Sequence, residues 1–312
     1  MNAVPAAAQP LVAVSAVRPA RPLRFAALGD SLTEGVGDPV PGGWRGWAAL
    51  LAGDGPGCEF RNFAVSGALT RDVAAEQAPR AREFAPDLAS VVVGVNDTLR
   101  RSFDIHRIAA RLDTVYGDLA EQGAVLLTAC LPDPGAMLAL PGPLARPLAR
   151  RQRAVNAVVH ALSARYGAAH LHLAERAWVA DRTLWSADRL HPGERGHRLI
   201  AVRCHTLLAE RGVAPGGPPS AEPDRPPPGT SASLLWLATA GTAWLARRST
   251  DLLPELLGLA GAELRHAARG TGAHLDLRAA EALSAALAAV ACAPHDRAPE
   301  PPGAARLARM GG

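Results

Sequence analysis

Short apolar runs alternate along this chain with longer stretches of helical spacing. The first run, residues 23–28, carries Leu23, Phe25, Ala26, Ala27 and Leu28 and stops abruptly at Gly29-Asp30-Ser31. A run of this length predicts a buried strand, and a glycine at its end lets the backbone turn sharply. Residues 58–64, 88–93, 124–129 and 168–173 predict four more strands. The third of the five (Leu-Ala-Ser-Val-Val-Val) has the near-continuous apolar character of a strand covered on both faces. Helical stretches are predicted at 44–51, 71–84 (in spite of Pro79), 104–121, 148–166 and 194–211. In 104–121 the spacing of Ile105, Ile108, Leu112, Val115 and Leu119 sets the apolar face. Residues 131–143 and 178–192 read as loops. Strands alternating with helices predict an α/β domain over residues 23–212, with a parallel sheet and helices on both faces.

The pattern changes on either side of that domain. Residues 1–22, with Pro5, Pro10, Pro19 and Pro22, read as a disordered arm. No positive charge precedes their apolar stretch, so they do not read as a secretion signal. Residues 213–232 are a proline-rich linker, followed by a helical extension over 233–293 and a disordered tail over 294–312. The extension holds an all-round apolar stretch, 234–246, ending in Arg247 and Arg248. Two faces follow it: one of Leu253, Leu256, Leu257, Ala260 and Leu264, the other of Ala279, Leu283, Ala286, Leu287 and Val290. Such faces pack on each other or on the main domain, or else offer weak contact to a protein partner or a membrane surface.

Composition narrows the function classes. The net charge of +4 is mild, and the 312 residues include no lysine. Arginine richness without a basic, aromatic-studded block does not point to nucleic acid. Cys58, Cys130, Cys204 and Cys292 are widely spaced with no C-x-x-C pair, which suits reduced thiols in the cytoplasm. No stretch has the length of a transmembrane helix, and the glycine-rich residues 35–43 lack the P-loop pattern and its lysine.

The candidate chemistry lies where strands end. Asp30-Ser31 follows the first strand, Ser66-Gly67 the second and Asn96-Asp97 the third, and Asp188-Arg189-Leu190-His191 precedes the last helix. Parallel strands open their carboxyl ends on one edge, so these groups can meet. A serine hydroxyl becomes a nucleophile when an imidazole takes its proton. His191 is the candidate base, and Asp188 is three residues away, within one tight turn of its ring. The Asn96 carboxamide and the Gly67 N–H are candidate oxyanion donors. Each residue singly has a plainer reading as a cap or turn residue; the four sites in order carry the functional one. His191, His197 and Asp188 lack the spacing of a metal site. His170 and His172 share one face of the fifth strand and read as structural.

Together these blocks resemble the SGNH hydrolases, the GDSL esterase/lipase family. They stand here as Gly29-Asp30-Ser31-Leu32 with Gly35, Asn62-Phe63-Ala64-Val65-Ser66-Gly67, Gly94-Val95-Asn96-Asp97 and Asp188-x-x-His191-Pro192. The resemblance implies a flavodoxin-like three-layer fold, Ser31 as nucleophile, His191 as base and Asp188 as its partner. It implies an oxyanion hole of the Ser31 and Gly67 N–H groups and the Asn96 side chain, with Asp30 and Asp97 in support, and neither metal nor cofactor. The expected substrate is a small-molecule or lipid-like ester, cleaved through an acyl-enzyme. A thioesterase or an O-deacetylase would use the same machinery, and a non-catalytic scaffold is the rival from another class. Two positions depart from the family pattern. Ala64 stands where glycine is often found, and Arg189 replaces the frequent glycine after the last-block aspartate, where it could narrow the site or bind an anionic substrate.

Overall fold

The computed structural model describes residues 21–224 and 252–292. Its centre is strand β1, Leu23–Gly29, whose last five residues are buried. It pairs in parallel with β2 (Cys58–Asn62) on one side and β3 (Leu88–Val92) on the other. Strands β4 (Val125–Cys130) and β5 (Ala169–His172) extend the sheet in parallel, giving the order β2-β1-β3-β4-β5. This is the flavodoxin-like order, and the strand order reverses between β1 and β3. All five residues of β3 are buried, because helices cover both faces of the sheet.

One face packs on helices α1 (residues 70–84), α2 (Ile105–Glu121) and α3 (Gly142–Arg165), through Leu28, Phe84, Val91, Leu112, Val155 and Leu162 among others. The opposite face packs on α4 (Glu194–Ala209) and on the short helix Gly46–Ala52, through Phe25, Trp47, Leu51, Leu127, Leu171 and Ile200. Asp104 caps α2 by accepting from the His106 and Arg107 N–H groups.

Two helices differ from expectation for reasons of proline. Pro79 is accommodated because a wide π-turn, Val73–Gln77, precedes it and places it in the first turn of Ala78–Phe84, where no N–H partner is needed. Helix α3 begins at Gly142, six residues before the expected start at 148, with Pro143 in its first turn and Pro147 inside it. Residues 131–143 accordingly hold a short helix, Pro134–Met137, and the beginning of α3.

The first part of the proline-rich segment lies against the domain. Val213 and Ala214 pack on the core, and Asp224 pairs with Arg45 at 3.0 Å and Arg198 at 2.7 Å. Beyond it, α5 (Leu252–Ala268) and α6 (Gly272–Cys292) rest on α2 and α3. The expected face of α6 is the buried one: Ala286 and Val290 join the core, with Leu283 and Leu287 against it. Helix α5 keeps part of its expected stripe: Leu256 and Ala260 are half-buried, while Leu257 and Leu264 are exposed and Glu263 is buried beside Arg150 at 3.3 Å. The apolar stretch 234–246 with Arg247 and Arg248, the arm and the tail lie outside the described residues, arm residues Arg21 and Pro22 excepted.

No helix among the described residues is long and apolar enough to cross a membrane.

Candidate active site

Gly29 sets the geometry at the end of β1. Its φ is +151°, and a Cβ there would lie 2.2 Å from the Val92 carbonyl oxygen. Only glycine fits this crossing of β1 against β3. The peptide is held from the side by Gln77, whose amide accepts from Gly29 N at 2.8 Å and donates to Gly29 O at 2.9 Å. Asp30 then caps the one-turn helix Ser31–Glu34 by accepting from Leu32 N. Ser31 is thereby the first residue of a helix at the carboxyl edge of the sheet.

Of residues 178–192, read as a loop, the first close a short helix, Arg176–Ala180, Arg182–Leu184 make one further helical turn, and 185–192 form a tight hairpin. Trp185 and Pro192 form an antiparallel bridge, and Ser186 N donates to His191 O at 2.9 Å. Arg189 sits at its tip with φ +60°, the left-handed conformation a glycine would take there freely. Arg189 is exposed and is not part of the cavity wall; Leu190 is. The expectation that the Arg189 side chain narrows the site is thus not met.

The hairpin and the Ser31 helix bring three side chains into line. Ser31 Oγ lies 2.7 Å from His191 Nε2, and His191 Nδ1 lies 2.6 Å from Asp188 Oδ2. Asp188 Oδ1 accepts from Leu190 N, His191 N and Ser186 Oγ. Burial pushes the Asp188 carboxyl up, but the hydrogen bonds from the His191 ring and N–H and from Ser186 outweigh it and take it down to about 2. An ionised Asp188 can only accept, so His191 Nδ1 carries the proton. His191 Nε2 then presents its lone pair to the Ser31 hydroxyl.

The second and third strand ends meet beside Ser31. Asp97 accepts from Thr70 N at 3.0 Å and Thr70 Oγ1 at 2.7 Å, which ties the loop carrying Gly67 to the loop carrying Asn96. The Asn96 amide donates to Ala68 O at 3.1 Å and, more weakly, to Asp30 Oδ2 at 3.3 Å. Among the described residues the Ser31 and Gly67 N–H groups donate no hydrogen bond. Asp30 is fully buried, and burial raises its carboxyl to about 6. Ser66 bonds to Glu34, placing it on the rim.

These groups line part of a cavity of about 540 Å³. The rest of its wall holds one charged side chain, Arg100, and is otherwise apolar, with Leu32, Val36, Leu99, Leu131, Met137, Trp178, Trp185 and Ile200 among its residues. Residues 131–143 enter this wall through Leu131, Pro132, Pro134 and Met137, and the hairpin enters it through Leu190 and His191, with Arg189 outside it. Leu131 is fixed by Asn156 of α3, whose amide accepts from Leu131 N at 2.9 Å and donates to Leu131 O at 2.8 Å.

Gln77, Asn156 and His197 escaped the sequence reading. The first two are amides inside helices, and nothing in their spacing distinguishes them from surface residues. His197 was weighed only as a metal ligand. It is fully buried, accepts from Trp47 N at 3.2 Å and donates to Val36 O at 3.0 Å, clasping α4 to the segment after Ser31. Burial depresses its pKa to about 4. Its stabilisation is therefore complete above the unfolded-state value near 6.5 and is lost as pH falls toward 4, by about 3 kcal/mol. His197→Asn is expected to be less stable than wild type at pH 7 by denaturant melts, with the gap narrowing steadily down to pH 4. A constant gap would show that His197 does not titrate in this way.

A hydroxyl, an imidazole and a carboxylate thus stand in line at the strand-end edge of a flavodoxin-like sheet. Residues 27–199, more than half of the chain, match the GDSL-like lipase/acylhydrolase family. The chain belongs to that family and is, as a member, a carboxylic ester hydrolase. No curated protein gives a match. Solved structures of similar fold include a catalytic mutant of an acetylxylan esterase from Geobacillus stearothermophilus, 17% identical, covering 62% of this chain and 96% of that one with a TM-score of 0.49. A lipolytic G-D-S-L family member from Veillonella parvula is 21% identical, with 60% and 97% covered and a TM-score of 0.47. At such identities and scores these likenesses carry nothing about substrate.

Proposed function

We propose that this protein hydrolyses esters with an apolar acyl group through an acyl-enzyme on Ser31. The observation that supports it best is the 2.7 and 2.6 Å relay from Ser31 through His191 to Asp188 beside a largely apolar cavity. Ser31 Oγ attacks the ester carbonyl as His191 Nε2 takes its proton. The imidazolium, held by Asp188, returns that proton to the departing alcohol. Water then attacks the acyl-enzyme with His191 again as base, releasing the acid.

The oxyanion receives the Ser31 and Gly67 N–H groups and one Asn96 amide hydrogen. That hydrogen leaves Asp30 for the stronger acceptor as negative charge develops on the substrate. Asn96→Ala is expected to lower kcat by about 100- to 1,000-fold with melting temperature nearly unchanged. Wild-type turnover would remove Asn96 from this role.

Arg100 apart, the wall away from Ser31 is aliphatic and aromatic, which favours an apolar acyl group over the acetyl group of a sugar. Each methylene buried contributes about 0.8 kcal/mol, near 4-fold in kcat/KM. On p-nitrophenyl esters, kcat/KM is expected to climb from acetate to medium-length acyl groups. Acetate as the best substrate would overturn the acyl-pocket reading. Failure to hydrolyse any ester, together with failure of Ser31 to react with a fluorophosphonate, would overturn the acyl-enzyme itself.

A further inference from the structure

On the face of the sheet opposite the cavity wall, β4 and β5 set Cys130 beside His172 and Thr128 beside His170 in register. His160 on α3 comes down over them. Ligand atoms of Cys130, His160, His170 and His172 all lie within 4.8 Å of one another. We propose that these four side chains form a zinc site, independent of the Ser31 centre.

The donor set suits zinc, which takes thiolate and imidazole ligands in a tetrahedron. Zn–N bonds of about 2.0–2.1 Å and a Zn–S bond of about 2.3 Å place ligand atoms about 3.4–3.6 Å apart. His160 Nε2 lies 3.3 Å from His172 Nδ1, and Cys130 Sγ lies 3.8 Å from the same atom.

His170 is prepared for coordination by what lies behind it. Ser163 Oγ donates to Val159 O at 2.6 Å, so it accepts from the Thr128 hydroxyl at 2.7 Å. Thr128 Oγ1 in turn lies 2.8 Å from His170 Nδ1. The proton assignment that makes all three contacts hydrogen bonds puts a proton on His170 Nδ1 and a lone pair on Nε2. That Nε2 is buried and has no hydrogen-bond partner. A metal-ligating histidine donates its other ring N–H to a fixed acceptor, most often a carboxylate, carbonyl or water; here the Thr128 hydroxyl takes that place.

Packing adds a second argument. The three rings are 4.6, 4.8 and 5.2 Å apart by centroid. Three imidazoles at these distances bring their ring nitrogens together with the Cys130 sulfur as one ligand set. His160 and His172 are exposed, which gives an ion access, while Cys130 is buried. On binding, the Cys130 thiol releases its proton to solvent and the thiolate bonds to zinc. The ion would join β4, β5 and α3 one residue before Leu131 and Leu173 enter the cavity wall.

The test is Co2+ and Zn2+ titration of untagged, chelator-treated full-length protein. One equivalent of Co2+ is expected to give the visible bands of a tetrahedral ion and a thiolate charge-transfer band, both abolished by Zn2+. Cys130→Ser is expected to lose the charge-transfer band. The double variant His160→Ala/His172→Ala, altered only at exposed positions, is expected to bind at least 100-fold more weakly. Ser31→Ala is expected to bind as wild type does. Equal binding by wild type and the double variant, a spectrum without the thiolate band, or loss of binding in Ser31→Ala would each overturn the proposal.

Discussion

Ser31→Ala is expected to lower kcat for p-nitrophenyl esters by about 10⁵- to 10⁶-fold, with KM and melting temperature little changed. The Ser31 side chain makes one hydrogen bond, to His191 Nε2, so its loss leaves the fold and cavity as they were. Removing the nucleophile ends the covalent route, and the oxyanion donors alone leave about 10³- to 10⁴-fold over water. The same variant should fail to take up a fluorophosphonate that wild type attaches at Ser31. Turnover within tenfold of wild type would mean that the hydroxyl does not form the acyl-enzyme.

Asp188→Asn should be the next most damaging change, lowering kcat by about 10⁴-fold. Three donors converge on Asp188 Oδ1, so an asparagine keeps its carbonyl oxygen there and turns its NH₂ toward His191. The ring must then accept at Nδ1 and carry its proton on Nε2, facing Ser31 with a donor where an acceptor is needed. Because the hairpin retains its hydrogen bonds, stability near neutral pH should fall far less than activity. Stopped-flow kinetics with parallel melting curves would separate the two. A drop of only tenfold would reduce Asp188 to a turn residue.

Strands β2 and β5 carry a weaker signal, since each mixes polar residues into its run. Strands β1, β3 and β4 were legible because each is a short apolar run that stops at or just before glycine or proline, a signal that survives without any knowledge of packing. The four strand-end blocks were legible for the same reason, since parallel strands must deliver them to one edge. Residues whose meaning depends on distant partners were not legible. Gln77 holds the Gly29 peptide from 48 positions away, and His197 reaches Trp47 across 150; neither separation leaves a local trace. Cys130 and His160 join the His170–His172 pair only through strand register and the descent of α3. The stripe of α5 is only partly packed, and the buried pair of Glu263 with Arg150 left no signal in the spacing.

The family match ends at residue 199, yet α6 sets Ala286 and Val290 into the same core as β1 and β3. Its attachment is reinforced by Arg165, which donates to the Val290 carbonyl. Ancestry and cooperativity therefore draw different borders on this chain. A protein shortened to residue 212 would keep every group near Ser31 but leave the outer surfaces of α2 and α3 stripped of their cover. Such a fragment is expected to aggregate on warming, and any activity it lost would report the missing roof of the core rather than a function of the helices themselves.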